Sequence, residues 1–504
     1  MKTAPSYIIP ADFPDPDVIR VDDTYYIVST TMHFMPGCQI LRSYNLVDWE
    51  HAAYVFDQLE ATPGQTLQDN KGIYGKGMWA ASLRYHRGKF YIAFVANDTH
   101  KTYLYTSNKI EGPWQKSEIK GFFHDMSLLF DDDDRIYCVS GNTDITLTEM
   151  EPDLSGPKAE GINKVIIQDN PEKALLGYEG SHFYKINGKY YIFLIHIPKG
   201  QMRNEACFVS DKIDGPYTGK DVLCSDLAGW NSGTAQGGLV QANDGNYYSI
   251  VFQDHGALGR IPVLVPVKLE NDFPVFGNDG ITPEQVKVLD NRPDYKYQPL
   301  YSNDFTNPAW QWNHIPDKSL ICLSSSVFSV KTDKTCKNPV QAANTLTQRT
   351  FTEHCSGSVS LDASKLNEGD IAGLCALEGE YGFIGITKKD GKYKLIAAEH
   401  KIPYSPWSMG VFDDEEPVIT VENELSSPKL KLKATFSLEH TKENVQFAFA
   451  DNLEDSSVFE DFGAPVKLRY TLDQFVGVRF ALFCYSTEKA GGSATFKEFK
   501  YELL

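Results

Sequence analysis

Asp15, Asp125 and Glu179 are three carboxylates at matching places in a long repeat, and Trp79 and Gln236 fill the two places that remain. A carboxyl group in a dry site resists ionisation, and a neighbouring carboxylate raises its pKa further. Two such groups a few ångströms apart suit cleavage of a glycosidic bond. One, kept protonated, gives its proton to the departing oxygen; the other, ionised, activates water or attacks the sugar carbon. A third carboxylate can hold the acid's pKa up through its charge. An indole at the same level offers a flat apolar face to the C–H side of a sugar ring, and an amide offers both a donor and an acceptor to hydroxyls. Each acid taken alone reads as a solvated turn residue; three in register do not.

The register comes from five β-hairpins in the first 260 residues. They are Val18–Tyr26, Leu83–Tyr91, Leu129–Tyr137, Phe183–Tyr191 and Val240–Tyr248. Each places Asp, Asn or Gly, residues that tolerate positive φ, between runs of β-formers. The closing tyrosines fall at 26, 91, 137, 191 and 248, at spacings of 65, 46, 54 and 57. One four-stranded sheet plus loops fills such a spacing. Five in a row imply a five-bladed β-propeller, whose radial repetition limits exposed edges; a β-sandwich with similar hairpins is the alternative. Twelve residues before the closing tyrosine lie Trp79, Asp125, Glu179 and Gln236, and eleven before the first lies Asp15. In a propeller the innermost strands run along one axis, so these five positions form a ring.

Composition narrows the partners. A formal net charge of −19 argues against a grip on nucleic-acid phosphates or anionic membrane surfaces, while a neutral oligosaccharide fits. No apolar stretch is long enough to span a bilayer. Met1–Ser6 lacks an apolar leader core, so the chain as it stands reads as cytoplasmic; a removed leader would make it periplasmic or secreted. The nine cysteines are dispersed, with no CxxC spacing, which argues against a disulfide framework or a zinc cluster.

Several motifs resemble glycoside hydrolase family 43, in its arabinofuranosidase and β-xylosidase branch. They are Asp12–Ile19, Met32–Gly37, Leu46–Trp49, Gly77–Ala80, His124–Leu128, Tyr178–Ser181, and Ala235–Val240 followed by Phe252–Pro262. The likeness covers residues 1–290. It implies a five-bladed propeller acting with inversion, with Asp15 as general base, Glu179 as general acid, and Asp125 orienting the acid and keeping its pKa high. Arg260 is similar to a family arginine that reaches the sugar or the acids; a solvated arginine is the plain alternative. His255 is similar to a histidine that in several relatives binds a calcium ion or water on the axis, although one histidine is a thin calcium signal. No cofactor is otherwise required. His33 and Phe34 sit in a loop able to line the pocket. Gln236 stands where many relatives carry histidine, and Met126 where others carry proline. The acidic run Asp131–Asp134 reads as a solvated turn.

Residues 272–300, with four prolines and few apolar runs, read as a linker. From about Tyr301 short alternating strands continue without the five-fold motif, as in Gly357–Leu361, Tyr381–Ile386, Leu430–Ala434 and Val476–Phe483. The expectation is an all-β chain: a propeller over 1–290 and a concanavalin-like β-sandwich over 301–504 that packs on the propeller. The expected activity is exo-acting, inverting release of terminal L-arabinofuranose, with β-D-xylosidase action as the alternative. Rivals are a non-catalytic glycan-binding propeller and a retaining five-bladed enzyme of the fructan-hydrolase type.

Overall fold

Each of the five hairpins opens a four-stranded antiparallel sheet, in a computed structural model that describes residues 1–270, 272–402, 414–451, 453, 458–471 and 475–504. Blade one is Asp17–Val21, Thr24–Ser29, Gly37–Ser43 and Glu50–Phe56. Blades two to five open with Ser82–His86, Ser127–Phe130, Ala174–Ile186 and Thr234–Gln241, and each takes its next three strands directly from the following sequence. The first strands touch one another in a closed ring, blade five against blade one included. Lys2–Pro5 pairs antiparallel with Gln285–Val288, so the start of the chain is tied to the segment after blade five. That segment is therefore less of a linker than its prolines suggest: Phe273–Phe276 is the outer strand of blade five, and Gln285–Val288 closes the ring.

The blades are held by apolar seams between neighbours. Val28, Ile40 and Val55 of blade one pack with Leu83, Ile92 and Phe94 of blade two. Tyr137, Val139 and Leu147 of blade three pack with Ile192 and Leu194 of blade four. Burial on both faces explains why the middle strands read as continuous apolar runs, as in Tyr190–Ile195. At the axis the seam is polar. Asp17, fully buried, accepts from Arg84 Nη1 at 2.7 Å and from the Leu83 amide at 2.8 Å, and its other oxygen meets His182 Nδ1 at 3.2 Å. Arg84 also donates to Ser127 Oγ and to the Leu128 carbonyl. This knot joins blades one to four. Burial opposes the Asp17 charge, but Arg84 and His182 outweigh it and lower its pKa to about 2.

The C-terminal part is a two-sheet sandwich. One sheet runs in the order Val418–Glu424, Lys392–His400, Tyr381–Lys389, Asp370–Leu377, Arg479–Ser486, Leu346–Arg349, Trp310–Asn313, and then Phe34–Met35 from the propeller. The loop between the second and third strands of blade one thus adds an edge strand to the sandwich, with Trp312 opposite Met35 and Asn313 opposite Phe34. The other sheet centres on His354–Lys365, flanked by Ser493–Leu503 and Lys429–Ser437. One core cluster runs from Ile9, Phe13 and Leu258 of the propeller into Phe328, Leu374 and Phe480 of the sandwich. Asp12 adds a polar bolt: its carboxylate accepts from the Arg260 amide at 2.9 Å and the Gly477 amide at 3.0 Å.

Among the described residues the only helices are three single 3-10 turns, and none is long and apolar enough to cross a membrane. All nine cysteines are free, seven of them buried. Asp132–Asp134 are exposed in the third hairpin turn as expected, but Asp131 is buried and bound by Tyr190 Oη at 2.6 Å and by Lys185. It is a link between blades three and four, because the adjacent blade covers the start of that turn.

Candidate active site

The ring expected from the tyrosine spacing forms at one mouth of the axis. Asp15, Asp125 and Gln236 line a single small cavity, together with Ala80 next to Trp79 and Gly180 next to Glu179. Asp15 (φ 51°), Asp125 (φ 47°), Gln236 (φ 59°) and Gly180 (φ 64°) all have left-handed backbone just before or within the inner strands. Such a conformation costs about 1–3 kcal/mol for a residue with a side chain, and it turns that side chain off the sheet into the mouth. At position 180 only glycine fits: a Cβ would lie 2.7 Å from the Ile195 side chain and 2.8 Å from Gln236. Strand pairing slips on both sides of Glu179, a bulge that re-aims its side chain.

Each acid has its own partners. The Asp15 carboxylate accepts from Arg260 Nη1 at 2.8 Å and from Thr30 Oγ1 at 2.7 Å. Asp125 accepts from the Gly180 amide at 3.2 Å, the Ser181 amide donates to its backbone carbonyl at 3.2 Å, and no cation of Arg or Lys pairs with it among the described residues. Burial pushes the Asp125 carboxyl up to about 6; His124 opposes this, while Glu179 and Asp15 add to it. On Glu179, Oε2 lies 3.4 Å from His124 Nε2 and accepts from Asn142 Nδ2. His124 Nε2 is also 3.8 Å from Asp125 Oδ2. The charge of Asp125, with that of Glu179 and Asp15, raises His124 to about 9 against the effect of burial. The imidazole is therefore charged at neutral pH.

The wall is aromatic. Trp79 is half-buried; its ring centre lies 6.0 Å from His124 and 5.8 Å from Phe475, stacked at 15° on the latter. Phe475 comes from the sandwich and also covers Arg260, whose guanidinium carbon lies 4.4 Å from its ring and 4.5 Å from Phe252. Arg260 is buried and meets Asp254 at 3.3 Å, so it is no solvated arginine. Gln236 is anchored by its backbone N–H, which donates to Glu205 Oε2 at 2.7 Å.

Two expected pocket residues lie behind the wall rather than on it, with Trp79 and Phe475 packed against the cluster that holds Phe34. His33 is 0% and Phe34 1% exposed, so neither offers surface to a sugar. Pairing of Phe34 with the sandwich draws the loop inward. His33 is wedged among Phe34, Tyr74 and His314, and the Arg479 guanidinium sits 3.5 Å over the Phe34 ring. His255 stacks on Trp230 at 4.6 Å, with Tyr7 edge-on at 4.8 Å, and its Nε2 is buried without a hydrogen-bond partner among the described residues. One imidazole nitrogen does not make the cage of six to eight oxygens that calcium takes. Among the described residues the one gathering of three His, Asp or Glu donor atoms is His124, Asp125 and Glu179, all within 4.8 Å of one another.

His124, Asn142, Glu205 and Phe475 were not picked out by the sequence reading. His124 carried a signal, being the neighbour of Asp125. The others carried none, since their place depends on the second strand of blade three, the third strand of blade four and a loop some 400 residues from Trp79.

A five-bladed propeller with carboxylates from three blades at one axial mouth defines a class of sugar-cleaving proteins. Residues 5–274 match the model of glycosyl hydrolases family 43, and residues 300–502 that of the beta xylosidase C-terminal concanavalin A-like domain. The chain belongs to glycosyl hydrolases family 43 and is a glycoside hydrolase. It is 26% identical to a beta-xylosidase of Formosa agariphila, over 98% of this chain and 89% of that one. It is 28% identical to a non-reducing end alpha-L-arabinofuranosidase of Bacteroides ovatus, over 67% of this chain and 66% of that one. Among solved structures, a bifunctional GH43-CE protein of Bacteroides eggerthii superposes with a TM-score of 0.90 at 38% identity; it covers all of this chain, which spans 64% of that longer one.

Proposed function

We infer that the protein is an exo-acting, inverting glycosidase that releases terminal L-arabinofuranose from hemicellulose oligosaccharides such as arabinoxylan or xyloglucan. Glu179 is the general acid and Asp15 the general base. The departing oxygen takes the proton of Glu179 as the glycosidic bond breaks, while a water on the opposite face adds to the anomeric carbon and gives its proton to Asp15. Asp125 is a positioning residue: its carboxylate faces Glu179 across His124. Trp79 carries the ring face, and Gln236 and Arg260 serve hydroxyls and the base.

The observation that carries this reading is the division of partners. Asp15 accepts on both oxygens, from a guanidinium and a hydroxyl, as a carboxylate does. Asp125 and Glu179 face each other across His124. A non-catalytic glycan binder would have one or more of the acids displaced or paired off; Asp15 is paired with Arg260, but Asp125 and Glu179 have no arginine or lysine partner among the described residues, which suits proton transfer.

β-D-xylosidase action on xylo-oligosaccharides is the second reading, favoured by the names of the Formosa relative and of the C-terminal domain model. Aryl α-L-arabinofuranoside and aryl β-D-xyloside assayed side by side decide between them. A much higher kcat/KM for the arabinofuranoside is expected, and a much higher value for the xyloside overturns the preference.

A further inference from the structure

Two donors converge on one oxygen of Glu179. His124 Nε2 lies 3.4 Å from Oε2, and Asn142 Nδ2 donates to the same atom. Oε1 has no hydrogen-bond partner among the described residues, and it is not a buried orphan. A carboxylic acid has one protonated and one bare oxygen, and only the bare oxygen accepts from two N–H donors without meeting a third hydrogen. We propose that His124 and Asn142 clamp Oε2 of Glu179, fix the acidic proton on Oε1, and stabilise the carboxylate that forms as this proton leaves. The proposal rests on Glu179 being the general acid.

The geometry makes the clamp act late in the step. When the Oε1–H bond breaks, its electron pair stays on Glu179, and the proton goes to the glycosidic oxygen as the C–O bond breaks with its pair going to that oxygen. Negative charge then spreads onto Oε2, where an imidazolium and an amide already point. Donors aimed at charge that develops only in the transition state accelerate the step without tightening the ground state. The chief group that keeps His124 cationic is Asp125 on its own blade, with Asp15 on blade one and, once ionised, Glu179 on blade four; the Trp79 ring faces it from blade two. Arg260, the nearby cation, is turned to Asp15 and Asp254. His124 and Asn142 are positioning residues that act through Glu179.

The test uses two substrates of the sugar that the wild type prefers. A 2,4-dinitrophenyl glycoside has a leaving group that departs without help, and a methyl glycoside has one that needs the proton. His124→Ala and Asn142→Ala are each expected to lose about 10- to 100-fold in kcat/KM on the methyl glycoside, the worth of one hydrogen bond to a charged group. They should lose less than about 3-fold on the dinitrophenyl glycoside, which also reports that the variants are folded. Equal losses on both substrates, or full activity on the methyl glycoside, overturn the clamp. Glu179→Gln is measured in parallel. If it discriminates between the leaving groups and the clamp variants do not, the clamp alone fails; if Glu179→Gln does not discriminate, the assignment of the acid fails with it.

Discussion

Asp15 and Asp17 are separated by one proline, yet they belong to clusters of opposite character on the same axis. Below the mouth, Asp17 is tied to Arg84 and His182, its pKa falls to about 2, and the result is a knot across four blades. At the mouth, Asp15, Asp125 and Glu179 face one another with one imidazolium between them, and Asp125 rises to about 6. Burial is similar in both places. The difference lies in who faces the acids: Arg84 and His182 hold Asp17 in the structure, whereas at the mouth only Asp15 meets an arginine, and Asp125 and Glu179 face carboxyl groups and one imidazole. Asp15, Asp125 and Gln236 have left-handed backbone that turns their side chains into the mouth, while Asp17 lies within a regular strand. Unfavourable charge is concentrated at the mouth and offset by the knot and the blade seams.

The largest effect should come from the mouth. Asp15→Asn and Glu179→Gln are each expected to lower kcat/KM at least about 1,000-fold on a glycoside with an unactivated leaving group, with thermal unfolding unchanged within a few degrees. Near wild-type turnover in either variant would break the contrast. Next comes the knot. Asp17→Asn leaves Arg84 buried without its partner and should cost about 3–5 kcal/mol in chemical denaturation, with turnover per folded molecule within about 10-fold of wild type. A variant as stable as the wild type would mean that the knot is ornamental.

The sign of the pH dependence separates the clusters. Asp17 has a lowered pKa, so its contribution is present above the ordinary carboxylate range and is lost as pH falls toward about 2. Asp125 has a raised pKa, so at neutral pH the fold holds a charge that it disfavours, a penalty relieved as pH falls through about 6. Asp125→Asn should therefore gain about 1–3 kcal/mol of stability at pH 7 while losing activity on unactivated substrates. A loss of stability at pH 7 would contradict the assignment of unfavourable charge to the mouth. The smallest effect should come from the sandwich. Phe475→Ala removes the ring stacked on Trp79 and Arg260 and should raise KM about 3- to 10-fold with a smaller change in kcat, the worth of an aromatic contact.

Legibility in the sequence followed the range of the interactions. The five hairpins are short-range objects, so their tyrosines gave a ruler that put Asp15, Trp79, Asp125, Glu179 and Gln236 at equivalent positions before any contact was known. The sandwich was legible as alternation, although Val476–Val478 lies before the strand Arg479–Ser486. His33 and Phe34 were misplaced because a loop between strands looks free in sequence; pairing with Trp310–Asn313, nearly 280 residues on, decides where it goes. Arg84 and His182 gave no sign of meeting Asp17, and Phe475 none of meeting Trp79, because blade order and domain docking bring those pairs together.

The central claim is that Glu179 and Asp15 act on opposite faces of the sugar, one on the leaving oxygen and the other on water. Proton NMR of the anomer released first, recorded before mutarotation, tests this directly. The account predicts inversion: β-L-arabinose from an α-L-arabinofuranoside, or α-D-xylose from a β-D-xyloside. First release of the retained anomer would require a covalent sugar on one of the carboxylates and would contradict the account.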